Sequence, residues 1–236
     1  VTDDAAFTAA LRRAVRSAAA GAITILGVAP DKPETGYGYI RADGTRVAQF
    51  VEKPDAETAA RYMADGHYYW NAGMFVLKAS VWLQALEQFR PDILQATTQA
   101  WAKRNTDANS ATPFIRPGKA EFTAIPSESV DYAAMEHCPG SVFPIQMVPL
   151  DAGWSDLGAW DALWDVLPHD EAGNARTGET IAVDTSDSLL FSQNRLVATV
   201  GVNHLVVVET ADAVLVADKR RTQDVKKVVE QLKAQK

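Results

Sequence analysis

Helical and strand-like patterns of apolar residues alternate along the first 168 residues of the chain. Residues 3–21 carry apolar side chains at helical spacing, with Asp3 or Asp4 as the N-cap candidate. Residues 22–29 form an almost continuous apolar run rich in β-branched side chains, which is typical of a strand buried on both faces of a parallel or mixed sheet. A helix followed by a buried strand predicts an α/β layered fold.

The alternation continues toward residue 168. Asp43-Gly44 stands between two strand-like runs and predicts a hairpin. The patterns predict further strands at 68–78 and 141–150. They predict helices at 55–66, 79–90, 91–104, 129–138 and 157–167. Residues 105–120 are polar and are interrupted by prolines, so a surface loop is expected there.

The pattern changes beyond residue 168. Residues 179–218 contain short β-rich segments separated by Asp, Gly and Asn turns, which predicts a small all-β unit, either a sandwich piece or a stacked coil. The tail, 222–236, is an amphipathic helix with an apolar stripe. We therefore expect two domains, 1–168 and 169–236. The stripe either packs back on the β unit or covers a second copy in a homodimer.

Composition narrows the possible functions. The net charge of -7 and the pI near 5.1 argue against nucleic acid as a partner. The single cysteine, Cys138, excludes an intrachain disulfide, and four scattered histidines beside it do not make a zinc site. No apolar run has transmembrane length and no secretory signal is recognisable, so we expect a cytoplasmic protein that makes no membrane contact.

Candidate binding residues cluster at the ends of the predicted strands, where open α/β sheets keep their ligand crevice. The clusters are ETGYGYI (34–40), FVEKP (50–54), WNAGMF (70–75) and PLDAGWSDLGAW (149–160). Gly36 and Gly38 stand in what otherwise reads as a strand interior. They indicate either a bulge or hairpin corner, or backbone that packs directly against a flat ligand such as a sugar.

Each polar candidate has two interpretations. Glu52 and Lys53 form either an exposed ion pair or a pair that binds sugar hydroxyls and phosphate. Asn71 either closes a turn or recognises hydroxyl groups. Asp156 caps the helix that follows it or binds Mg²⁺, which prefers one or two carboxylates. Asp131 caps its own helix or faces the crevice.

The order of these clusters, with SVDYAAME (129–136) before the last, resembles the mannose-1-phosphate guanylyltransferases over the whole chain. The similarity is to the bacterial long form, whose chains often carry a mannose-6-phosphate isomerase domain. The resemblance implies a Rossmann-like α/β nucleotidyltransferase domain followed by a small left-handed β-helix. It also implies an enzyme that makes GDP-mannose and pyrophosphate from GTP and mannose 1-phosphate.

The resemblance further implies roles for individual residues. The sugar side would consist of Gly36, Gly38, Glu52, Asn71, Gly73, Asp131 and Tyr132. Within it Glu52 would hold sugar hydroxyls and Gly73 would keep the backbone close to the sugar. Lys53 would hold the sugar phosphate, and Asp156 matches the second of two aspartates that bind magnesium. Lys53 and Asp156 are therefore the catalytic candidates, and Mg²⁺ is the implied cofactor.

One part of the family pattern has no match. The glycine-rich loop with its arginine and lysine is missing, as is the first magnesium aspartate. We therefore expect an internal portion of a longer protein that lacks the nucleotide-binding part and is inactive alone. Two rival functions stay open: another sugar-1-phosphate nucleotidyltransferase, such as one that makes dTDP- or UDP-glucose, and a non-catalytic subunit that binds a sugar phosphate.

Overall fold

The computed structural model describes residues 1–107 and 112–234. It divides into two compact units, Val1–Trp154 and Ser155–Lys236. Helix α7 (Trp160–Val166) lies in the second unit, where its apolar residues pack against the buried side chains of Leu189 and Val206. The domain boundary expected after residue 168 stays a prediction. None of the helices in the described ranges has both the length and the hydropathy that a membrane crossing requires.

The described residues of the first unit form six α-helices and seven strands. Its helices are α1 (Asp4–Ala19), α2 (Ala56–Asp65), α3 (Ala79–Phe89), α4 (Pro91–Ala102), α5 (Lys119–Thr123) and α6 (Val130–Ala133). Its strands are β1 (Ile23–Val28), β2 (Tyr39–Asp43), β3 (Arg46–Val51), β4 (Tyr68–Val76), β5 (Asn105–Asp107), β6 (Phe114–Arg116) and β7 (Ile145–Pro149). A 3-10 turn spans Met135–His137.

A mixed sheet organises the first unit. Its strand order is β1-β4-β2-β3-β7, and β7 pairs back onto β1 so that the sheet closes on itself. β1 runs parallel to β7 and antiparallel to β4, and five of its six residues are buried. The prediction of a strand buried on both faces in a parallel or mixed sheet is confirmed. The α/β class is confirmed with it, because helices pack on this sheet.

Local signals explain where the helices begin and end. Asp3, the first of the two N-cap candidates, accepts the Ala6 N–H at 2.9 Å, so α1 begins directly after it. Asp55 caps α2 by accepting the Thr58 N–H at 2.7 Å. Gly66 ends α2 with a left-handed φ of 77°, which glycine adopts without steric cost.

Three segments differ from the sequence prediction. The expected surface loop at 105–120 contains β5, β6 and the start of α5, although residues 108–111 lie outside the described part of the chain. The expected helix at 129–138 is interrupted, because Ala134 leaves helical geometry at φ -146° before the 3-10 turn. Of the strand expected at 141–150, only the residues of β7 adopt strand geometry. Apolar periodicity does not report three-residue strands that pair only with each other, or a single residue that breaks a helix.

The second unit is built mainly from short strands. After α7 come β8 (Ala175–Thr177), β9 (Thr180–Val183), β10 (Leu189–Ser192), β11 (Val197–Val200), β12 (Leu205–Glu209) and β13 (Val214–Asp218). A 3-10 segment, Lys219–Asp224, leads into α8 (Val225–Ala234). β8, β10 and β12 pair in parallel, as do β9 and β11, while β13 is antiparallel to β12. The all-β prediction is confirmed, and parallel pairing of every second strand favours the stacked coil over a sandwich.

Candidate functional site

The glycine-rich segment forms a loop that leads into β2. The strand begins at Tyr39, so both Gly36 and Gly38 precede it, and the expectation that they stand inside a strand is wrong. The Gly36 N–H donates to Glu34 Oε1 at 2.9 Å instead of to a neighbouring strand. The Gly38 carbonyl accepts the Asn71 N–H at 2.7 Å and so attaches the end of the loop to β4.

Gly38 leaves room for a carboxylate. A Cβ built on residue 38 would collide with Glu52 Oε2 and would lie 3.3 Å from the Asn71 Cβ. Any side chain at this position would therefore displace the Glu52 carboxylate. The absence of a side chain at Gly38 is thus explained by a close approach rather than by a bulge.

Glu52 is buried and only partly satisfied. Its side chain is 6% exposed, and its Oε1 accepts a hydrogen bond from Lys53 Nζ. Its Oε2 is buried without a hydrogen-bond partner among the described residues. Burial raises the pKa of Glu52 and the charge of Asp131 adds to this, while the Lys53 hydrogen bond opposes it. A buried carboxylate oxygen without a partner is suited to accept a hydrogen bond from a hydroxyl group of a ligand.

Lys53 combines an unusual backbone with an accessible charge. Its φ is +48°, in the left-handed region that non-glycine residues rarely adopt. Its N–H donates to the Tyr37 carbonyl at 3.2 Å. The hydrogen bond to Glu52 raises the pKa of Lys53, and 56% of the side chain is exposed. The ammonium therefore remains protonated and has N–H groups to offer to an anion.

Asn71 is held in one orientation by two neighbours. Its Oδ1 accepts the Gly73 N–H at 2.9 Å, and its Nδ2 donates to Asp131 Oδ1 at 3.2 Å. Gly73 has a φ of +68° and lies where β4 bulges against β1, between the pairs formed by Asn71 and Phe75. A carboxamide has two N–H groups and two lone pairs, so each end of the Asn71 amide has capacity for a ligand.

Asp131 faces Asn71 and does not cap its helix. Ser129 caps α6 by accepting the Tyr132 N–H at 3.4 Å. Burial raises the pKa of Asp131, while hydrogen bonds, among them the one from Asn71, oppose that shift. The cap interpretation of Asp131 is therefore wrong, and its position facing a ligand crevice stays a prediction. Tyr132, the next residue, is 43% exposed.

Asp156 belongs to the second unit. It is exposed in the segment before α7, whose N-cap residue is Ala159, and that cap has no side-chain hydrogen bond. The interpretation of Asp156 as a helix cap is therefore wrong. Its carboxylate lies against Gly158, where a Cβ would collide with Asp156 Oδ2.

The carboxylates allow a limited test for a metal. Within residues 1–107 and 112–234, no three or more His, Cys, Asp or Glu side chains are grouped so that they could hold a metal ion. Mg²⁺ needs fewer protein ligands, because one or two carboxylates suffice when water and substrate phosphates complete its octahedron. The exposed oxygens of Asp156 fit one ligand of such an ion.

The structure brings most predicted site residues together in the first unit. These residues are Gly38, Glu52, Lys53, Asn71, Gly73 and Asp131, with Tyr132 beside them. The sequence interpretation missed Glu136, whose Oε1 accepts the Glu52 N–H at 2.8 Å. Glu136 lies in the same segment as Asp131, but nothing in the sequence indicates that Ala134 interrupts the helix between them.

Comparison with known families matches both units. Residues 1–173 match the family described as "Nucleotidyl transferase". Residues 178–232 match the family described as "MannoseP isomerase/GMP-like beta-helix domain".

Individual relatives agree with these matches. The chain is 48% identical over 244 residues to "Mannose-1-phosphate guanylyltransferase" of Escherichia coli, covering 99% of this chain and 49% of that protein. It is 45% identical over 238 residues to "Xanthan biosynthesis protein XanB" of Xanthomonas campestris, with the same two coverages. The chain thus spans about half the length of the curated relatives it matches.

A solved structure covers both units. The crystal structure titled "mannose-1-phosphate geranyltransferase" from Thermus thermophilus is 31% identical to this chain, with a TM-score of 0.80. The match covers 99% of this chain and 67% of that chain.

Proposed function

The chain belongs to the nucleotidyl transferase family, and we propose that it supplies the sugar-binding part of a mannose-1-phosphate guanylyltransferase. The full enzyme would join GTP and mannose 1-phosphate into GDP-mannose and release pyrophosphate. The observation that carries this proposal is the buried Oε2 of Glu52, which has no hydrogen-bond partner among the described residues and lies next to the exposed ammonium of Lys53. A sugar phosphate has hydroxyl donors for the first group and an anion for the second.

The sugar would be held mainly by side chains of the first unit. Glu52 accepts hydrogen bonds from sugar hydroxyls, and Asn71 contributes one donor and one acceptor in an orientation fixed by Asp131. Gly73 keeps the β4 backbone free of a side chain beside Asn71. The contacting residues would be completed by Gly36, Gly38, Asp131 and Tyr132.

The phosphate would be positioned by Lys53. One oxygen of the mannose 1-phosphate phosphate attacks the α-phosphorus of GTP, forming a new P–O bond while the bond to the pyrophosphate leaving group breaks. The protein contributes alignment and charge, since both reacting groups are anions that repel each other. Lys53 offsets part of that repulsion and remains protonated because Glu52 raises its pKa.

Magnesium is the proposed cofactor. Asp156 would hold Mg²⁺, which when bound neutralises negative charge on the phosphates. Asp156 is suited to this because its carboxylate is exposed and does not cap α7.

We propose a finer fold assignment on the same basis. The mixed sheet with its helices is proposed to be the Rossmann-like part of the nucleotidyltransferase domain. The parallel pairs β8-β10-β12 and β9-β11 support a β-helix, whose left hand is part of the proposal.

A homodimer is proposed as the assembly. Apolar side chains are about half exposed on α8, at Val228, Val229 and Leu232, and α8 has no buried residue over Val225–Ala234. Exposed apolar stripes of this kind favour a protein partner. Light scattering of the full-length protein should give twice the mass of one chain, and a monomer would contradict this proposal.

The function is tested by turnover in the full-length protein. Purified protein is incubated with GTP, mannose 1-phosphate and Mg²⁺, and pyrophosphate and GDP-mannose are measured. The same protein is incubated with UTP or dTTP and glucose 1-phosphate. Faster turnover with GTP and mannose 1-phosphate supports the proposal. Preference for the glucose substrates, or binding of mannose 1-phosphate without turnover, would replace it with one of the two rival functions.

A further inference from the structure

The turn that carries Glu52 and Lys53 is held in place by two hydrogen bonds to its backbone. Lys53 has a φ of +48°, which is unfavourable for a residue with a Cβ and persists only when the surroundings impose it. The Lys53 N–H donates to the backbone carbonyl of Tyr37. The Glu52 N–H donates to a side chain, Glu136 Oε1, at 2.8 Å.

Glu136 has a rigid support. It lies in the 3-10 turn Met135–His137, and its neighbour Met135 is fully buried, as are Ala134 and Cys138. These three side chains belong to the same core cluster as Phe50 of β3. The backbone of Glu136 is therefore fixed relative to the end of β3, from which the Glu52–Lys53 turn emerges.

The placement of Glu136 has an electrostatic disadvantage. Its charge, together with that of Asp131, adds to the effect of burial in raising the pKa of Glu52. A glutamine would supply the same oxygen acceptor without this repulsion. The hydrogen bond and the charge are therefore separable by substitution.

We propose that Glu136 is a positioning residue for the sugar-phosphate site, because its hydrogen bond to the Glu52 N–H fixes the turn that places the Glu52 carboxylate and the Lys53 ammonium. The Glu136 side chain acts on the site through its hydrogen bond to the Glu52 backbone, and it need not contact the substrate. This inference rests on the proposed function and goes beyond it by adding a residue that acts through Glu52 and Lys53.

The test compares two substitutions in the full-length protein. We expect Glu136→Ala to raise KM for mannose 1-phosphate by about tenfold, the effect of losing a hydrogen bond to a charged acceptor. KM for GTP should stay within about twofold, because the hydrogen bond of Glu136 is to the turn on the sugar side. Glu136→Gln keeps the acceptor and should stay within about threefold of wild type for KM of mannose 1-phosphate, the range of ordinary mutational scatter.

The pH profile supplies a second measurement. Removal of the Glu136 charge lowers the pKa of Glu52, so Glu52 remains ionised to lower pH. The acid limb of the profile of kcat/KM for mannose 1-phosphate should therefore move to lower pH in Glu136→Gln. This shift is measurable even if Glu136→Ala does not fold, and an unshifted limb would overturn the assigned contact.

Cys138→Ala is the matched control for a purely structural role. Cys138 is buried at the end of the same 3-10 turn. Its truncation should lower the thermal midpoint and leave KM for mannose 1-phosphate unchanged.

The outcomes separate this inference from the proposed function. Absence of GDP-mannose formation by the wild type overturns the function and the inference with it. Wild-type turnover with an unchanged KM for mannose 1-phosphate in Glu136→Ala overturns the inference alone. Equal losses in Glu136→Ala and Glu136→Gln would overturn the hydrogen-bond mechanism.

Discussion

Two buried glutamates, Glu52 in the first unit and Glu209 in the second, hold their carboxylates in opposite ways. The Glu52 side chain is 6% exposed, and one of its oxygens has no partner in the described chain. The Glu209 side chain is 3% exposed, and its Oε2 accepts backbone N–H groups of Gln193, Asn194 and Arg195 at 2.8–3.1 Å. Its Oε1 accepts Arg195 Nε at 2.9 Å.

The pKa values follow the hydrogen bonding. Backbone N–H groups that stabilise the ionised form lower the pKa of Glu209 to about 2. Burial raises the pKa of Glu52, since fewer donors compensate it. A carboxylate whose oxygens accept several backbone N–H groups of the same chain closes a turn. It has little remaining capacity to accept hydrogen bonds from a ligand. A buried carboxylate with a spare oxygen, meaning an oxygen without a hydrogen-bond partner, destabilises the fold. It therefore marks a place where a ligand is expected.

The largest expected effect is at Asp156. If its exposed carboxylate binds the metal, Asp156→Ala in the full-length enzyme should lower kcat by at least about 100-fold, as for the loss of one electrostatic stabiliser. The thermal midpoint should not change, because the side chain is exposed. Turnover is measured at saturating Mg²⁺, with Glu171→Ala, another exposed carboxylate of the second unit, as the control. Turnover near that of the wild type would refute the metal role.

Glu52→Gln tests the spare oxygen directly. The amide retains the shape but loses the charge that strengthens hydrogen bonds to sugar hydroxyls. We expect kcat/KM for mannose 1-phosphate to fall by roughly 10- to 100-fold, the value of a hydrogen bond to a charged group. The thermal midpoint should stay equal or rise, because a neutral amide is less costly to bury than a carboxylate. A lower midpoint with unchanged kcat/KM would place Glu52 with the structural carboxylates.

Glu209→Gln applies the same chemical change to the saturated carboxylate. The amide nitrogen cannot accept, so the N–H groups of residues 193–195 and the Arg195 guanidinium lose their charged acceptor. We expect the thermal midpoint to fall by several degrees while kcat/KM, measured below that midpoint, remains unchanged. A loss of activity without a loss of stability would reverse the roles assigned to the two glutamates.

The sequence predicts the secondary-structure elements better than it predicts the surroundings of individual side chains. The apolar run at 22–29 was sufficient to predict β1 as a buried strand, since both of its faces are covered. The sequence pattern pairs Glu52 with Lys53, but the space that Glu52 Oε2 occupies depends on the missing side chain of Gly38, which is not adjacent in sequence. Glu136 and Glu209 were not predicted, because an acceptor for backbone N–H groups is determined by tertiary contacts. Local patterns do not report such contacts.

The smallest expected effect is a difference in pH dependence between the two glutamates. The folded pKa of Glu209 is lowered from 4.5 to about 2, so its contribution to stability is complete above pH 4.5 and is lost as the pH falls toward 2. The folded pKa of Glu52 is raised, so its ionisation destabilises the fold at neutral pH, and this penalty disappears as the pH falls through that raised value. Thermal midpoints of the wild type, Glu52→Gln and Glu209→Gln should be measured from pH 7 to pH 3.

The thermal midpoints of the two variants should differ from that of the wild type in opposite directions, and both differences should narrow as the pH falls. Glu209→Gln should be less stable than the wild type at pH 7, with a difference that narrows only below pH 4.5. Glu52→Gln should be equally or more stable at pH 7, with a difference that narrows at higher pH than for Glu209→Gln, because the folded pKa of Glu52 lies above its ordinary value. If both differences had the same sign and narrowed over the same pH range, the two carboxylates would be equally satisfied in the folded protein. The spare oxygen of Glu52 would then not distinguish a binding residue from a structural one.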